Sequence, residues 1–392
     1  MALFRQEEYN HRVASVRASM AEKGFSALLV TDPCNLYYLT GYDAWSFYMP
    51  QCVYLPIEGD IYFIGREMDA KGAGYTCFLD DNHCFGYPEP LVHRRDTHPA
   101  EWIANKLKEL GILQIGSTGK VGMELDEDFL TPRTYLTLVE KLPEVRFADS
   151  QELINWVRVR KSDHEIEVMK KAAAVTEHTM LTAIDAIRPG RRQCDIAADI
   201  VKAQTEGTSE AGGDYPAIVP MMPTGKAAGT PHLTWSEDLM PDQVSSTIEL
   251  TGVYHRYHVP MARTVSLGKP DPDLQRVAQI VGEGMDVALS TIRPGILARD
   301  VELAWRSVTS KYGLSKPSRI GYSIGIGYPP DWGEHTVSLR LEDENVLQSG
   351  MTFHLILGIW DKQWGYELSE AIHVTESGVE RFTHLPQQLT IK

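Results

Sequence analysis

The sequence predicts an α/β N-terminal domain followed by an α+β domain built from a duplicated ααββ unit. Three features lead there. Helical and strand-like segments alternate through the first roughly 150 residues. A helix start, Ser162-Asp163-His164-Glu165, follows Trp156 to Lys161 and marks a boundary. Ile187-Arg188-Pro189-Gly190 then recurs as Ile292-Arg293-Pro294-Gly295, an offset of 105 residues at which Asp195 and Asp300 also repeat. A chain of 392 residues is long enough for two ordinary domains with cores of their own.

Glu8 to Lys23 has the periodicity of an amphipathic helix and stops at Gly24, a residue suited to the left-handed conformation that ends helices. Ser26 to Val30 is a short β-type run closed by Asp32-Pro33. Cys52 to Leu55 and Ile61 to Ile64 flank Glu58-Gly59-Asp60, a hairpin signal. Pro99 to Leu110 reads as a helix before Gly111, Val121 to Met123 as a strand start, and Pro132 to Leu142 as a further helix. The expected domains are residues 1–157 and 158–392. Ser162 and Glu165 make a capping box for the long helix that opens the second. In each repeat the Pro-Gly turn separates two helices. Strand-rich runs follow, Ser246 to Thr264 in the first copy and Met351 to Thr375 in the second.

The chain is 43% hydrophobic and 23% charged, a globular balance. Its formal net charge of −15 argues against nucleic acid as a partner, because neutralising phosphates requires a basic footprint. Five cysteines without a CxxC indicate neither a disulfide framework nor a zinc knuckle. The N-terminus lacks the apolar core of a signal peptide, and no apolar run approaches the ~18 residues of a membrane span. A cytoplasmic protein without a membrane partner is expected.

Asn35-Leu36-Tyr37-Tyr38-Leu39-Thr40-Gly41-Tyr42, the opening of the boundary helix and the duplicated Ile-Arg-Pro-Gly together resemble creatinase, prolidase and aminopeptidase P over nearly the whole chain. The resemblance implies a creatinase-type N-terminal domain, a pseudo-symmetric pita-bread catalytic domain and a homodimer. Metal-dependent members hold two divalent ions with two Asp, one His and two Glu. Carried over singly, the first Asp falls on Glu249, in Ile248-Glu249-Leu250-Thr251-Gly252. The second, three residues before Arg263-Thr264, falls on Pro260. The His of the Gly-rich turn falls on Tyr328, the first Glu on Ile356, and the last on Ser369, with Glu370 beside it. Pro and Ile carry no side-chain donor and Ser is a poor neutral ligand, so no metal and no other cofactor is expected. A replacement site from Glu249, His255 and His258 needs both imidazoles on one face, whereas strand residues three apart face opposite ways unless a turn intervenes.

Two further family histidines fall on His232, in Thr230-Pro231-His232, and on His335. With Glu249 they are the expected catalytic group, because a carboxylate and two imidazoles can run acid–base hydrolysis of an activated C–N bond. Glu249 together with Trp45-Ser46-Phe47-Tyr48 resembles the ectoine-hydrolysing branch of the family. That branch implies a small zwitterionic substrate, ectoine, whose planar amidinium pairs with a carboxylate at two points. Its carbon is electrophilic without a Lewis-acid metal. The implied product is N-acetyl-2,4-diaminobutyrate, and the implied downstream partner a deacetylase. Trp45 and Tyr328 are expected to wall the flat ring, Arg263 to receive the substrate carboxylate, and Asp331 to line the pocket. A creatinase-like amidinohydrolase, a prolidase-type metallopeptidase and a non-catalytic binding protein on the same fold stay open as alternatives.

Overall fold

The computed structural model describes residues 3–116 and 119–392. The chain divides into two compact units, Met1–Arg158 and Val159–Lys392, one residue from the expected boundary.

The first unit is built on a six-stranded mixed sheet. Its strands are β1 (Phe25–Val30), β2 (Cys52–Pro56), β3 (Tyr62–Arg66), β4 (Cys84–Tyr87), β5 (Lys120–Met123) and β6 (Arg146–Asp149), in the order β4-β3-β2-β1-β5-β6. The β1–β2 and β2–β3 pairs are antiparallel, and the others parallel. Ile103 and Leu107 of helix Pro99–Glu109, and Leu138 of helix Pro132–Lys141, bury one face of the sheet against Leu29, Tyr54 and Val121. The first helix, Gln6–Lys23, ends on Gly24 at φ 71°, where a side chain would be strained. Helix Pro33–Thr40 has no counterpart in the sequence expectations. All eight of its residues are buried, so it carries no one-sided apolar stripe. Only its Asp32 cap, which accepts from Cys34 N–H, and Pro33 in its first turn mark it.

The second unit shows the duplication as geometry. Helices Asp163–Ala186 and Gln193–Glu206 form the first pair, and Pro272–Thr291 and Ala298–Thr309 the second. The first helix opens on the expected capping box between Ser162 and Glu165. The two Pro-Gly turns make the same contact. Gly190 N–H donates to Met240 O and Gly295 N–H to Leu347 O, each tying its turn to the segment that enters a strand hairpin.

Those hairpins are β7 (Val244–Tyr254) with β8 (Tyr257–Leu267), and β11 (Thr352–Trp360) with β12 (Gly365–Val374). The second copy adds a hairpin that a plain ααββ unit lacks, β9 (Gly321–Tyr328) with β10 (Asp331–Leu339). Gly and Pro interrupt this stretch, which hides its strand pattern in the sequence. The short strands β13 (Val379–Arg381) and β14 (Thr390–Ile391) complete an eight-stranded sheet along the path β13-β12-β11-β9-β8-β14, with β10 on β9 and β7 on β8. Helix Asp163–Ala186 packs Met180 and Ala183 on Ile248, Leu250 and Met261. Helices Pro272–Thr291 and Ala298–Thr309 pack Val281, Met285 and Trp305 on Phe353, Leu355 and Leu368. Among the described residues, no helix is long and apolar enough to cross a membrane.

Candidate active site

Strand alternation places Glu249. Its neighbours Ile248 and Leu250 belong to the apolar core on one face of β7, so Glu249 points to the other. It is 5% exposed, and its Oε1 lies 3.9 Å from His354 Nδ1. Burial, and then the charge of Glu367, push the Glu249 carboxyl up to about 8, against an opposing pull from Lys316. Glu367 of β12 is buried too and accepts a 2.8 Å bond from Trp360 Nε1. Burial raises it to about 7, opposed by the Trp360 bond and by Lys316. Lys316 is buried and donates to Ser318 Oγ at 2.6 Å and to Arg319 O. Burial lowers its ammonium to about 8, although Glu367, Glu302 and Glu249 favour the charge. Two carboxyls and one lysine thus share a buried cluster in which full ionisation of all three would leave one negative charge in excess.

A hydrogen-bonded chain runs beside it. Tyr322 OH lies 2.9 Å from His354 Nδ1 and accepts from Trp332 Nε1 at 2.8 Å. His354 Nε2 lies 2.7 Å from Ser369 Oγ, which accepts from Ala262 N–H at 2.6 Å. Burial, and then nearby Lys316, Arg263 and Arg319, lower the His354 imidazole to about 3, so it is neutral at physiological pH. Burial, reinforced by the charge of Glu249, raises Tyr322 well above the ordinary phenol value and keeps it protonated.

The other residues singled out in the sequence lie in different settings. His232 is exposed in the loop after the turn Gly225–Gly229 and makes no hydrogen bond among the described residues. His335 is exposed in the middle of β10, with Nε2 3.0 Å from Asp331 Oδ2. Asp331 is the link to the cluster, since its charge acts on both Glu249 and Tyr322. Burial pushes the Asp331 carboxyl up, but His335 and the backbone N–H groups of Gly333 and Trp332 outweigh it and hold it below its ordinary value. Tyr328 is buried with the Arg256 guanidinium 4.8 Å above its ring, and the side chain that meets His354 is Tyr322 instead.

Arg263 is corrected from substrate donor to scaffold. Its five N–H groups go to Ala262 O, Ser369 O, Pro386 O, Leu385 O and the buried carboxylate of Glu370, which leaves none for a ligand. Trp45 belongs to the first unit, where its exposed ring packs on Phe47 at 5.0 Å. His255 and Arg256 form the two-residue turn between β7 and β8, at φ 47° and 66°. His258 is spent on structure, with Nε2 accepting from Ala217 N–H and Nδ1 facing Arg256 O.

Comparison with known proteins identifies the scaffold. Residues 167–376 match metallopeptidase family M24, and residues 12–160 match the creatinase/prolidase N-terminal domain. The chain belongs to the M24 family. An ectoine hydrolase of Halomonas elongata is 42% identical over 99% of this chain and 98% of its own length. Among solved structures, a prolidase from Thermococcus sibiricus superimposes with TM-score 0.84 at 21% identity, over 98% of this chain and 99% of that one. Dipeptidase PepE from Mycobacterium ulcerans does so with TM-score 0.80 at 22% identity, over 99% of each chain. These likenesses establish the pita-bread fold.

M24 metallopeptidases raise the question of a metal pair, and the donors present in this M24 unit do not fit one. Pro260 and Ile356 offer no side-chain donor. Ser369 Oγ is already bonded to Ala262 N and His354. The Lys316 ammonium contributes a positive charge beside the remaining carboxyls, opposite to what a dication requires. Among the described residues, no three His, Cys, Asp or Glu side chains group as ligands.

Four participants were missed in the sequence: Glu367, Lys316, Tyr322 and His354. Two carried a usable signal. Glu367 lies two residues before Ser369 and His354 two before Ile356, so period-2 alternation puts each on the face of a position already carried over from the family. Gly321-Tyr322 opens the same Gly-rich run six residues before Tyr328, so the run offers two registers. Lys316 sits in the connection before β9 and no pattern marks it.

Proposed function

We propose that this M24 protein hydrolyses ectoine to an N-acetyl-2,4-diaminobutyrate without a metal ion, with Glu249 as the reacting carboxylate. The full-length likeness to the Halomonas elongata ectoine hydrolase supports the substrate class. The observation that carries the reading is the buried pair Glu249 and Glu367, two carboxyls whose charges burial disfavours and Lys316 only partly offsets. A planar amidinium supplies the missing positive charge and offers two N–H groups to carboxylate oxygens.

Ionised Glu249 then attacks the amidinium carbon or takes a proton from the water that does. Glu367, which burial keeps partly protonated near neutrality, gives a proton to the departing ring nitrogen as the C–N bond breaks. Net addition of one water leaves an acetamide on one nitrogen and an amine on the other. The substrate carboxylate is assigned to Arg319. Its guanidinium lies 4.5 Å above the Tyr322 ring and commits one N–H, from Nη1, to Ser338 Oγ. His232 and His335 have no step in this scheme.

The test is a substrate panel of ectoine, creatine and a Xaa-Pro dipeptide, with products identified by mass spectrometry. Ring-opened ectoine alone is expected. Turnover of creatine in its place would make the protein an amidinohydrolase of linear guanidines, and release of proline would make it a peptidase.

A further inference from the structure

Hydrogen count and burial along the Ser369–His354–Tyr322 chain together determine where one proton points. Ser369 is fully buried, and its oxygen already receives the Ala262 N–H. Its other hydrogen bond is to His354 Nε2. If Nε2 carried the imidazole proton, Ser369 would accept twice and its own fully buried hydroxyl hydrogen would have no acceptor. With Nε2 bare, Ser369 is satisfied, receiving Ala262 N–H and giving its O–H to Nε2, and the hydrogen left without a partner is that of Tyr322, which is only part-buried, whereas Ser369 is fully buried. Neutral His354 then carries its proton on Nδ1. Nδ1–H faces the Tyr322 oxygen at 2.9 Å, which also receives the Trp332 indole N–H at 2.8 Å.

Tyr322 therefore accepts two hydrogen bonds, and its own hydrogen is left over. Among the described residues no acceptor takes it. Glu249 lies on that side, with Oε1 3.9 Å from His354 Nδ1 and its charge acting on the phenol. A rigid neutral donor, pre-aimed by three buried groups at the carboxylate where chemistry is assigned, is the arrangement that stabilises charge developing on a reacting atom.

We propose that Tyr322 donates its phenolic hydrogen bond to the substrate atom that gains electron density beside Glu249. His354, Ser369 and Trp332 act as positioning residues that hold the phenol oxygen and free its hydrogen. This rests on Glu249 being the reacting carboxylate. No proton changes owner in the step. The bond strengthens as the amidinium carbon becomes tetrahedral and weakens as the product forms.

Two measurements test it separately. In the ligand-free protein, ¹⁵N NMR of His354 should show a protonated Nδ1 and a bare Nε2. Ser369→Ala should move the proton toward Nε2, because the oxygen that donated to it is gone. A wild-type Nε2–H tautomer would overturn the inference while leaving the Glu249 assignment intact. With ectoine as substrate, Tyr322→Phe should lower kcat by about 10²–10³-fold, the loss typical of one such donor, with KM changing less than about threefold. Ser369→Ala should lower kcat by a smaller factor without a matching rise in KM. Wild-type kcat in Tyr322→Phe would refute the role. Inactive Glu249→Gln alongside that result would show that the Glu249 reading survives it.

Discussion

Replacing Glu249 by Gln should abolish turnover, and it should also stabilise the fold in a pH-dependent way. The carboxyl moves from an ordinary 4.5 to about 8 on folding, chiefly through burial and then through the charge of Glu367. At about 1.4 kcal/mol for each tenfold change, ionised Glu249 opposes folding by on the order of 3–5 kcal/mol. Because the folded value is the higher one, its contribution is fully present below pH about 4.5 and is lost as pH rises through about 8. Gln does not ionise, so the variant escapes that loss. Its buried amide adds only an offset independent of pH.

Thermal melts of wild type and Glu249→Gln at intervals from pH 4.5 to 9 read this directly. The difference in Tm should move in favour of the variant as pH rises, by roughly 10 °C in all, and level off above pH about 8. A gap that stays constant with pH, or that moves in favour of wild type at high pH, would refute a buried carboxyl with a raised pKa at this position.

The remaining predictions concern the cluster around it. If ionised Glu249 reacts and protonated Glu367 gives the proton, kcat/KM for ectoine should climb tenfold per pH unit up to about pH 7, stay level to about pH 8 and fall above it, read from a pH–rate profile. Lys316→Met removes the charge that pulls Glu249 down, so the same profile should inflect at higher pH in that variant. Arg319→Met should raise KM for ectoine at least tenfold while leaving KM for its neutral carboxamide analogue nearly unchanged. Arg263→Met removes the nearer guanidinium from the buried Glu370 carboxylate, leaving Arg381 at 3.6 Å, and should cost about 3 kcal/mol in chemical denaturation, with KM of the surviving folded protein unchanged.

The two-domain architecture was legible because its signals are local and repeated. The Pro-Gly turns recur at a fixed offset, Ser162 and Glu165 cap a helix by adjacency, and Gly24 takes the left-handed turn its position requires. Glu249 was legible because strand alternation with Ile248 and Leu250 fixes its face. Other features depended on tertiary pairing that linear order does not carry. Glu367 and His354 reach Glu249 only because β12 and β11 fold across β8 and β9. Arg263 looks free in sequence, and only the packing of residues 369–386 around it consumes its donors. Tyr328 and Tyr322 lie on one Gly-rich strand that offers two acceptable registers, and the contact of Tyr322 with His354 depends on cross-strand packing that linear order does not carry.

The central claim is that Glu249 and its neighbours open an amidinium ring without a metal. Ectoine turnover by chelator-treated protein, measured with and without added Mn²⁺ or Co²⁺ and with metal content verified by elemental analysis, tests it most directly. Full activity in the metal-free sample, unchanged by either ion and absent in Glu249→Gln, is the predicted result. Activity lost on chelation and restored by either ion would contradict it.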